Sequence, residues 1–399
     1  MKICLISSLY KPTIIGGAEV VAGKTARELQ RRGHEVFVIT TNHHPKIEEV
    51  DVDGIKTYRL PLNIYNIYNF SEQNIFKRLL WHSIDLWNPS AYLKLKDILE
   101  EEKPDIIHIH NFKGLSGAAF SAAKRLNVPV IFTVHDYSAY CVRANLLKGD
   151  GIICTEPRIL CRFYKRMNSF FIDNIPDVVI SPSRFLIDKL KSQGFFRDSE
   201  IAVIPNPVEK DPEIIEKDYI TIDILYVGAL SGHKGTDVLI RAFRELGDDN
   251  MRLHIVGRGL DEDKLKALSG DDERIIFHGF LEGEELSGMY AKANVTVVPS
   301  IWYENSPMVI YESFTHSTPV IGSNIGGIPE IVSEGYNGFL FEPGNKDELK
   351  SILKRLVEDP SILKELEKNA YESAKKYTLK EHIDKLERIY NNLLGEYHG

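Results

Sequence analysis

The chain has only four cysteines in 399 residues, too few for a disulfide framework, and Cys4 lies inside an apolar run where it serves as a small hydrophobe. A reducing cytoplasm is the expected compartment. Also lacking is any run of about 18 apolar residues, which argues against a membrane-spanning helix and leaves at most peripheral contact with a bilayer. The amino terminus, MKICLISSLY, carries one lysine, a short apolar stretch and no small-residue cleavage site, so it reads as a first buried strand rather than a secretion signal. Positive charge is short too: 49 Lys+Arg stand against 57 Asp+Glu, and the net −8 argues against nucleic acid as a partner. The deficit is uneven. Residues 1–206 hold 27 Lys+Arg and 22 Asp+Glu, the remainder 22 and 35, so the halves carry +5 and −13. That suits either different partners for the two halves or an ordinarily solvated surface. A phosphate-binding P-loop is missing as well. Gly23-Lys24-Thr25 has its ending, but five residues rather than four separate Gly17 from Gly23, and Lys24 would lie well inside a helix.

What is present is a repeating alternation. With 43% hydrophobic residues there is ample material for two cores of roughly 200 residues each. Short, nearly continuous apolar runs recur at 3–6, 36–39, 106–109, 130–134, 178–180 and 201–204, as expected of parallel strands covered on both faces. Helical spacing fills the gaps, most clearly in Ala18, Val21, Ala22, Thr25 and Leu29. After IPNPV (204–208) and a charged linker (209–218) the pattern restarts, with runs at 224–227, 253–256, 275–277, 295–298, 320–321 and 339–341. The prediction is an α/β protein of two Rossmann-like domains, 1–206 and 207–377, with a helical tail, 378–399, packing back on the first. Open α/β sheets bind ligands at the carboxyl ends of their strands, so the expected site is a cleft between the two sheets.

The distinctive motifs fall mostly at such strand exits. KPTIIGGAEV places Gly16 and Gly17 before a helix, where backbone N–H groups can approach an anion; a tight turn without ligand is the alternative. His135, ending VIFTVH, is either a structural histidine or a group that bonds a ligand hydroxyl or carries a proton. His108 and His110 alternate on one strand and share a face, but no third ligand for a metal is evident. In YVGALSGHKG, Gly228 ends a strand and Lys234-Gly235 begin a helix, aiming an ammonium where a diphosphate would lie. Glu304 and Glu312 follow in WYENSPMVIYESF, with Ser306 as the expected N-cap and Pro307 as the first residue of a helix starting between them. Phosphate at that amino end with a ribose on the deeper acid is one reading, and two surface glutamates the other. Gly326 and Gly327, in GSNIGGIPEIV, leave room for backbone to approach a ligand. The stretch 65–92 interleaves Tyr68, Phe70, Phe76, Trp81, Trp87 and Tyr92 with Lys77 and Arg78, which suits a membrane surface or a helix packed in its own core.

Taken in order, GGAE, TVHD, VIPNPV, VGALSGHKG, ENSPMVIYE, GGIPEIV and NGFLFEPG resemble the family-4 retaining glycosyltransferases of the GT-B fold, over residues 1–377. That resemblance implies two facing Rossmann-like domains with an interdomain cleft and a C-terminal helix crossing back. It implies transfer of a sugar from a nucleoside diphosphate sugar to an acceptor hydroxyl with retained configuration, in polysaccharide, lipid-linked glycan or glycolipid synthesis. Glu304 would then stand near the reacting carbon, Lys234 on the diphosphate and His135 beside the transferred sugar, as the catalytic groups. Donor contacts are implied at Gly16, Gly17, Gly228, Lys234, Ser306, Pro307, Met308, Val309 and Glu312, and acceptor contacts at Glu19 and Arg184. No metal or other cofactor is implied, the lysine and a helix dipole serving where another enzyme uses a cation. Two departures stand out. Ala229 occupies the family's usual arginine position, whose charge His233 or Arg258 would replace. Cys141, Cys154 and Cys161 resemble a cysteine-bearing insertion of some relatives, but Tyr164 takes the fourth place and leaves a tetrahedral zinc site one ligand short. A nucleotide-sugar epimerase and a catalytically idle sugar-nucleotide binder stand as alternatives. Nucleobase, sugar and acceptor are not legible.

Overall fold

A computed structural model describes residues 1–398 apart from 15, 43, 45, 62, 68, 70–72 and 150. The chain divides into two compact units: Met1–Leu146, Thr155–Asn206 and Leu379–Gly399 form the first, and Leu147–Cys154 with Pro207–Thr378 the second. The first contains β1 (Lys2–Ile6), β2 (Glu35–Thr41), β3 (Glu48–Val52), β4 (Ile55–Leu60), β5 (Ile106–Ile109), β6 (Val130–Thr133), β7 (Val178–Ser181) and β8 (Glu200–Val203). They form one sheet in the order β3-β4-β2-β1-β5-β6-β7-β8, parallel throughout except for the β3–β4 pair. β5, β6 and β7 are buried along their whole length, which is why they read as unbroken apolar runs. β3 and β4 had no such run to announce them. β3 is EEVDV, an edge strand alternating half-buried and exposed residues, and it turns into β4 through Asp53 and Gly54, both at positive φ.

Helices α1 (Gly17–Arg31), α2 (Ile75–Leu86), α3 (Pro89–Glu102), α4 (Ala118–Arg125), α5 (Ile159–Ile172) and α6 (Arg184–Ser192) belong to this unit. The second unit adds α7 (Thr236–Leu246), α8 (Glu262–Ser269), α9 (Gly283–Lys292), α10 (Met308–Thr315), α11 (Lys346–Glu358) and α12 (Ser361–Ala374), after which α13 (Leu379–His398) rejoins the first. On α13, Ile383, Leu386, Tyr390 and Leu393 recur at three- and four-residue steps and are buried in the same core as Ile3, Leu5, Leu29 and Val38. Each contributes about 1.5–3 kcal/mol by leaving water. Arg32 of the α1 C-cap fixes the register, with Nη1 at 2.6 Å from Asp384 and 2.7 Å from Glu387.

The second unit's sheet is all parallel, in the order β11-β10-β9-β12-β13-β14, from β9 (Ile222–Val227), β10 (Met251–Val256), β11 (Ile275–Gly279), β12 (Val295–Val298), β13 (Val320–Ser323) and β14 (Gly338–Phe341). Each sheet reverses its strand order once. β1 lies between β2 and β5, and β9 between β10 and β12. At such a point the loops leaving neighbouring strands diverge and open a crevice. Residues 228–235 leave β9 and 299–307 leave β12, so the second crevice falls on the lysine and glutamate motifs.

Candidate active site

Five hydrogen bonds and one close approach build the centre of this crevice. Gly228 N donates to Val256 O (3.0 Å) and Leu230 N to Arg258 O (2.9 Å), tying the exit of β9 to that of β10. The chain then makes a 3-10 turn, Gly232–Lys234, and enters α7 through Gly235. Glycine is required there: φ is +69°, and a Cβ would lie 1.9 Å from Pro299 O at the exit of β12. The approach brings Lys234 Nζ to 2.6 Å from Glu304 Oε1. Ser300 Oγ (2.8 Å) and Trp302 Nε1 (2.9 Å) donate to the same oxygen. Lys234 Nζ also lies 5.2 Å from the centroid of the Trp302 ring. Glu304 is buried, and burial alone would push its carboxyl up. The charge and hydrogen bond of Lys234, with Ser300 and Trp302, outweigh that and hold its pKa below the ordinary glutamate value. Ser300 and Trp302 escaped notice in the sequence, although they lie four and two residues before Glu304.

Gly326 and Gly327 lie against the backbone of Glu304. Gly326, at φ +64°, would place a Cβ 2.2 Å from Glu304 O, and Gly327 N donates to that same carbonyl (2.7 Å). The paired glycines therefore let a loop lie on the backbone of Glu304 and fix it. α10 starts one residue later than expected. Pro307 is its N-cap and Met308 its first residue, while Ser306 Oγ is buried and 2.6 Å from Tyr311 Oη, so it does not cap the helix. Met308 and Val309 thus lie in the first turn, whose N–H groups no carbonyl within the helix can satisfy. Glu312 lies about one turn further in, its Oε2 accepting from the buried Tyr290 hydroxyl (2.9 Å). Ala229 is exposed. Of the two cations considered as substitutes for the family's arginine, His233 packs edge-on against Trp302 (5.0 Å), and burial, then Lys234, lowers its pKa and leaves it neutral. Arg258, the other, accepts from Leu230 N through its carbonyl.

In the first unit, Gly16 is the N-cap of α1 at φ −153°, and a Cβ there would meet nothing nearer than Glu19 Oε2 at 3.7 Å. The fold itself does not require glycine at 16. Gly17 is the first residue of α1 and is exposed. The Glu19 carboxylate accepts from Gly16 N (2.9 Å), so it caps its own helix. Arg184 is exposed at the start of α6. Lys24 and Thr25 lie in the interior of α1, which removes the P-loop reading. His135 follows β6, with Nε2 3.2 Å from His110 Nδ1 and the two rings stacked at 5.5 Å. His110 stacks in turn on His108 (4.2 Å), which bonds Tyr390 Oη of α13 and Thr133 Oγ1, both at 2.7 Å.

Part of the His135 side chain reaches solvent, but it is enclosed closely enough that burial, then His382, pulls its pKa down to about 3. It is therefore a neutral hydrogen-bonding group near pH 7. Burial likewise takes His108 to about 3 and His382 to about 4, and lowers His110 well below the usual value. Because the unfolded chain binds these protons first, stability is complete above about pH 6.5 and falls below it, by up to about 1.4 kcal/mol per pH unit for each histidine. The first unit is thus expected to unfold in mild acid, around pH 5, with uptake of several protons. Circular dichroism against pH, with denaturant titrations at each value, measures this; equal stability at pH 7 and pH 5 contradicts it.

Trp81, counted in the aromatic and basic stretch, is a core residue whose Nε1 donates to Tyr65 O (3.0 Å), while Tyr68 and Phe70 lie outside the described residues. Cys141, Cys154 and Cys161 form no disulfide, and among the described residues no group of three or more His, Cys, Asp or Glu could hold a metal ion.

Comparison with known proteins agrees with this architecture. Residues 15–211 match the family described as Glycosyltransferase Family 4, and residues 208–377 that described as Glycosyl transferases group 1. A 42.6 kDa protein from the cps region of Klebsiella pneumoniae is 29% identical over 336 residues, 83% of this chain and 87% of that one. A glycosyltransferase of Methanocaldococcus jannaschii is 28% identical over 396 residues, 93% and 94% of the two chains. Among solved structures, sucrose-phosphate synthase from Thermosynechococcus elongatus matches with a TM-score of 0.77 over 99% of both chains, at 20% identity. Anabaena HepE in complex with UDP-glucose matches at 0.69 over 98% of this chain and 100% of that one, at 18% identity. Fold and family together define a nucleotide-sugar-dependent glycosyltransferase of the GT-B class. The chain belongs to the group 1, family 4 glycosyltransferases, which leaves the epimerase reading without support.

Proposed function

We propose that the protein transfers a sugar from a nucleoside diphosphate donor to the hydroxyl of a glycan or lipid-linked acceptor, with retained anomeric configuration and without a metal ion. The observation that carries this is the ion pair of Lys234 and Glu304 at the switch point of the second sheet. The leaving diphosphate lies against Lys234, the first-turn N–H groups of Met308 and Val309 beside Ser306 and Pro307, and the backbone at Gly228. Arg258 stands in for the arginine lost at Ala229. Ammonium, guanidinium and helix dipole together supply the positive field that a divalent cation gives elsewhere. Glu312 takes the ribose hydroxyls. In the first unit, as the family resemblance implies, Gly16 and Gly17 are assigned to the diphosphate, His135 to a sugar hydroxyl, and Glu19 and Arg184 to the acceptor. The C1–O bond to phosphate breaks while the acceptor oxygen bonds C1 from the same face, and a phosphate oxygen of the leaving group takes the acceptor proton. Glu304 steadies the positive charge on C1 without attacking it. A carboxylate with three donors on one oxygen and a depressed pKa is a weak nucleophile.

The test is product stereochemistry. Donors are screened starting with UDP-glucose, the ligand of the Anabaena structure, and the product of an α-linked donor is read by proton NMR with and without excess chelator. An α-linked product formed at the same rate in chelator is expected. A β-linked product overturns retention, and loss of turnover that added divalent cation restores overturns metal independence.

A further inference from the structure

We propose that the outer face of α2 and α5 docks on an anionic lipid bilayer. Each helix is apolar on two sides. In α5 the residues Tyr164, Asn168 and Ile172 recur every four positions and are buried, whereas Ile159, Phe163 and Phe170 fall on the opposite side. There Ile159 is 75% and Phe170 81% exposed. α2 repeats the arrangement: Trp81 and Asp85 are buried, and Phe76 (79% exposed), Leu79 and Leu80 face away from them. The two helices pack together, and Trp87, just past α2, stacks on Phe171 of α5 at 6.2 Å. Folded soluble proteins seldom leave so many large apolar side chains in one exposed region without a partner for it.

The charge around this face identifies its occupant. Residues 157–172 include Arg158, Arg162, Lys165 and Arg166 and no Asp or Glu. Of these Lys165 is half-buried on Gln193 Oε1 (3.1 Å); α2 adds the exposed Lys77, while Arg78 is half-buried on the Trp81 side, and its one acid, Asp85, is buried and accepts from Gly114 N (2.6 Å). Basic side chains flanking outward aromatic and branched ones match a bilayer, with cations on anionic headgroups and apolar groups at the acyl boundary. A second copy of this face would bring the same four exposed cations, Lys77, Arg158, Arg162 and Arg166, against each other, so the charge opposes self-association. The inner side of α5 has its own consequence. Tyr164 Oη donates to Ser138 O (2.9 Å) and Asn168 Nδ2 to Ala139 O (3.1 Å), so α5 fixes the loop that follows His135. The docking rests on the surface alone. Its use, bringing a lipid-linked acceptor to the His135 loop, rests on the function proposed above.

Co-sedimentation with vesicles tests the docking. The full chain is expected to pellet with phosphatidylcholine vesicles containing about a quarter phosphatidylglycerol, and far less with phosphatidylcholine alone or at high salt. Replacing Arg158, Arg162 and Arg166 with glutamine together should weaken binding roughly a hundredfold, about fivefold per charge. A variant combining Phe76→Ser, Phe163→Ser and Phe170→Ser should lose it while keeping the wild-type melting temperature. Both should transfer sugar to a soluble acceptor at the wild-type rate, since none of these residues belongs to the candidate site. Three results overturn the proposal: wild-type protein left in the supernatant, variants that pellet as wild type does, or a wild-type dimer that the serine variant dissociates. Failed vesicle binding with normal soluble transfer rejects docking only, whereas normal binding without transfer to any acceptor rejects the proposed reaction.

Discussion

Lys234→Ala is expected to lower kcat for sugar transfer by about a thousandfold, the upper end of what losing one preorganised charge-stabilising group costs. Two effects combine. The leaving diphosphate loses its ammonium just as negative charge accumulates on it. Glu304 also loses its charged partner, leaving only the hydrogen bonds of Ser300 and Trp302 against burial, so its pKa rises. Breaking a buried pair from one side costs about 3–5 kcal/mol, so the variant should also be less stable. Turnover and denaturant unfolding, measured on the same preparation, separate the two effects. A folded Lys234→Ala protein with near-normal transfer would remove Lys234 from the reaction altogether.

Glu304→Gln should show the complementary pattern. The amide oxygen can still accept from Lys234, Ser300 and Trp302, so the fold should persist, yet the negative charge beside C1 is gone. A fall in kcat of about 10²–10³ with little change in donor KM is expected, because the interaction is made mainly in the transition state. Equal turnover in the two proteins contradicts the role of the charge. Stability gives a second signature. The Glu304 pKa is depressed in the folded protein, so its contribution is complete above the ordinary glutamate value and fades as the pH falls through the depressed one. The Glu304→Gln variant should lack that acid limb.

Much of the architecture was legible because parallel strands covered on both faces must be apolar throughout, as β5, β6 and β7 are. β3 and β4 were not, because an edge hairpin satisfies its pattern with charge on one side. The site was readable as motifs but not as a pair: nothing in the spacing of Lys234 and Glu304 says that they touch. That contact depends on Gly235 passing within van der Waals reach of Pro299, a matter of two strand exits meeting in space. Glycines misled in the other direction. A double glycine looks the same whether it makes room for a ligand or for the protein's own backbone, and at Gly326 it is the latter. The outward faces of α2 and α5 were obscured for a related reason, since periodicity marks an apolar side without saying whether anything covers it.

The placement of α13 bears on how the protein comes to be folded. The core around Ile3, Leu5 and Val38 is completed by Ile383, Leu386, Tyr390 and Leu393, which leave the ribosome only after the entire second unit has been made. The amino-terminal half must wait, with an uncovered apolar surface, while the carboxy-terminal half finishes first, reversing the usual order of vectorial synthesis. Nascent chains stalled shortly before residue 383 are therefore the species most in need of a chaperone.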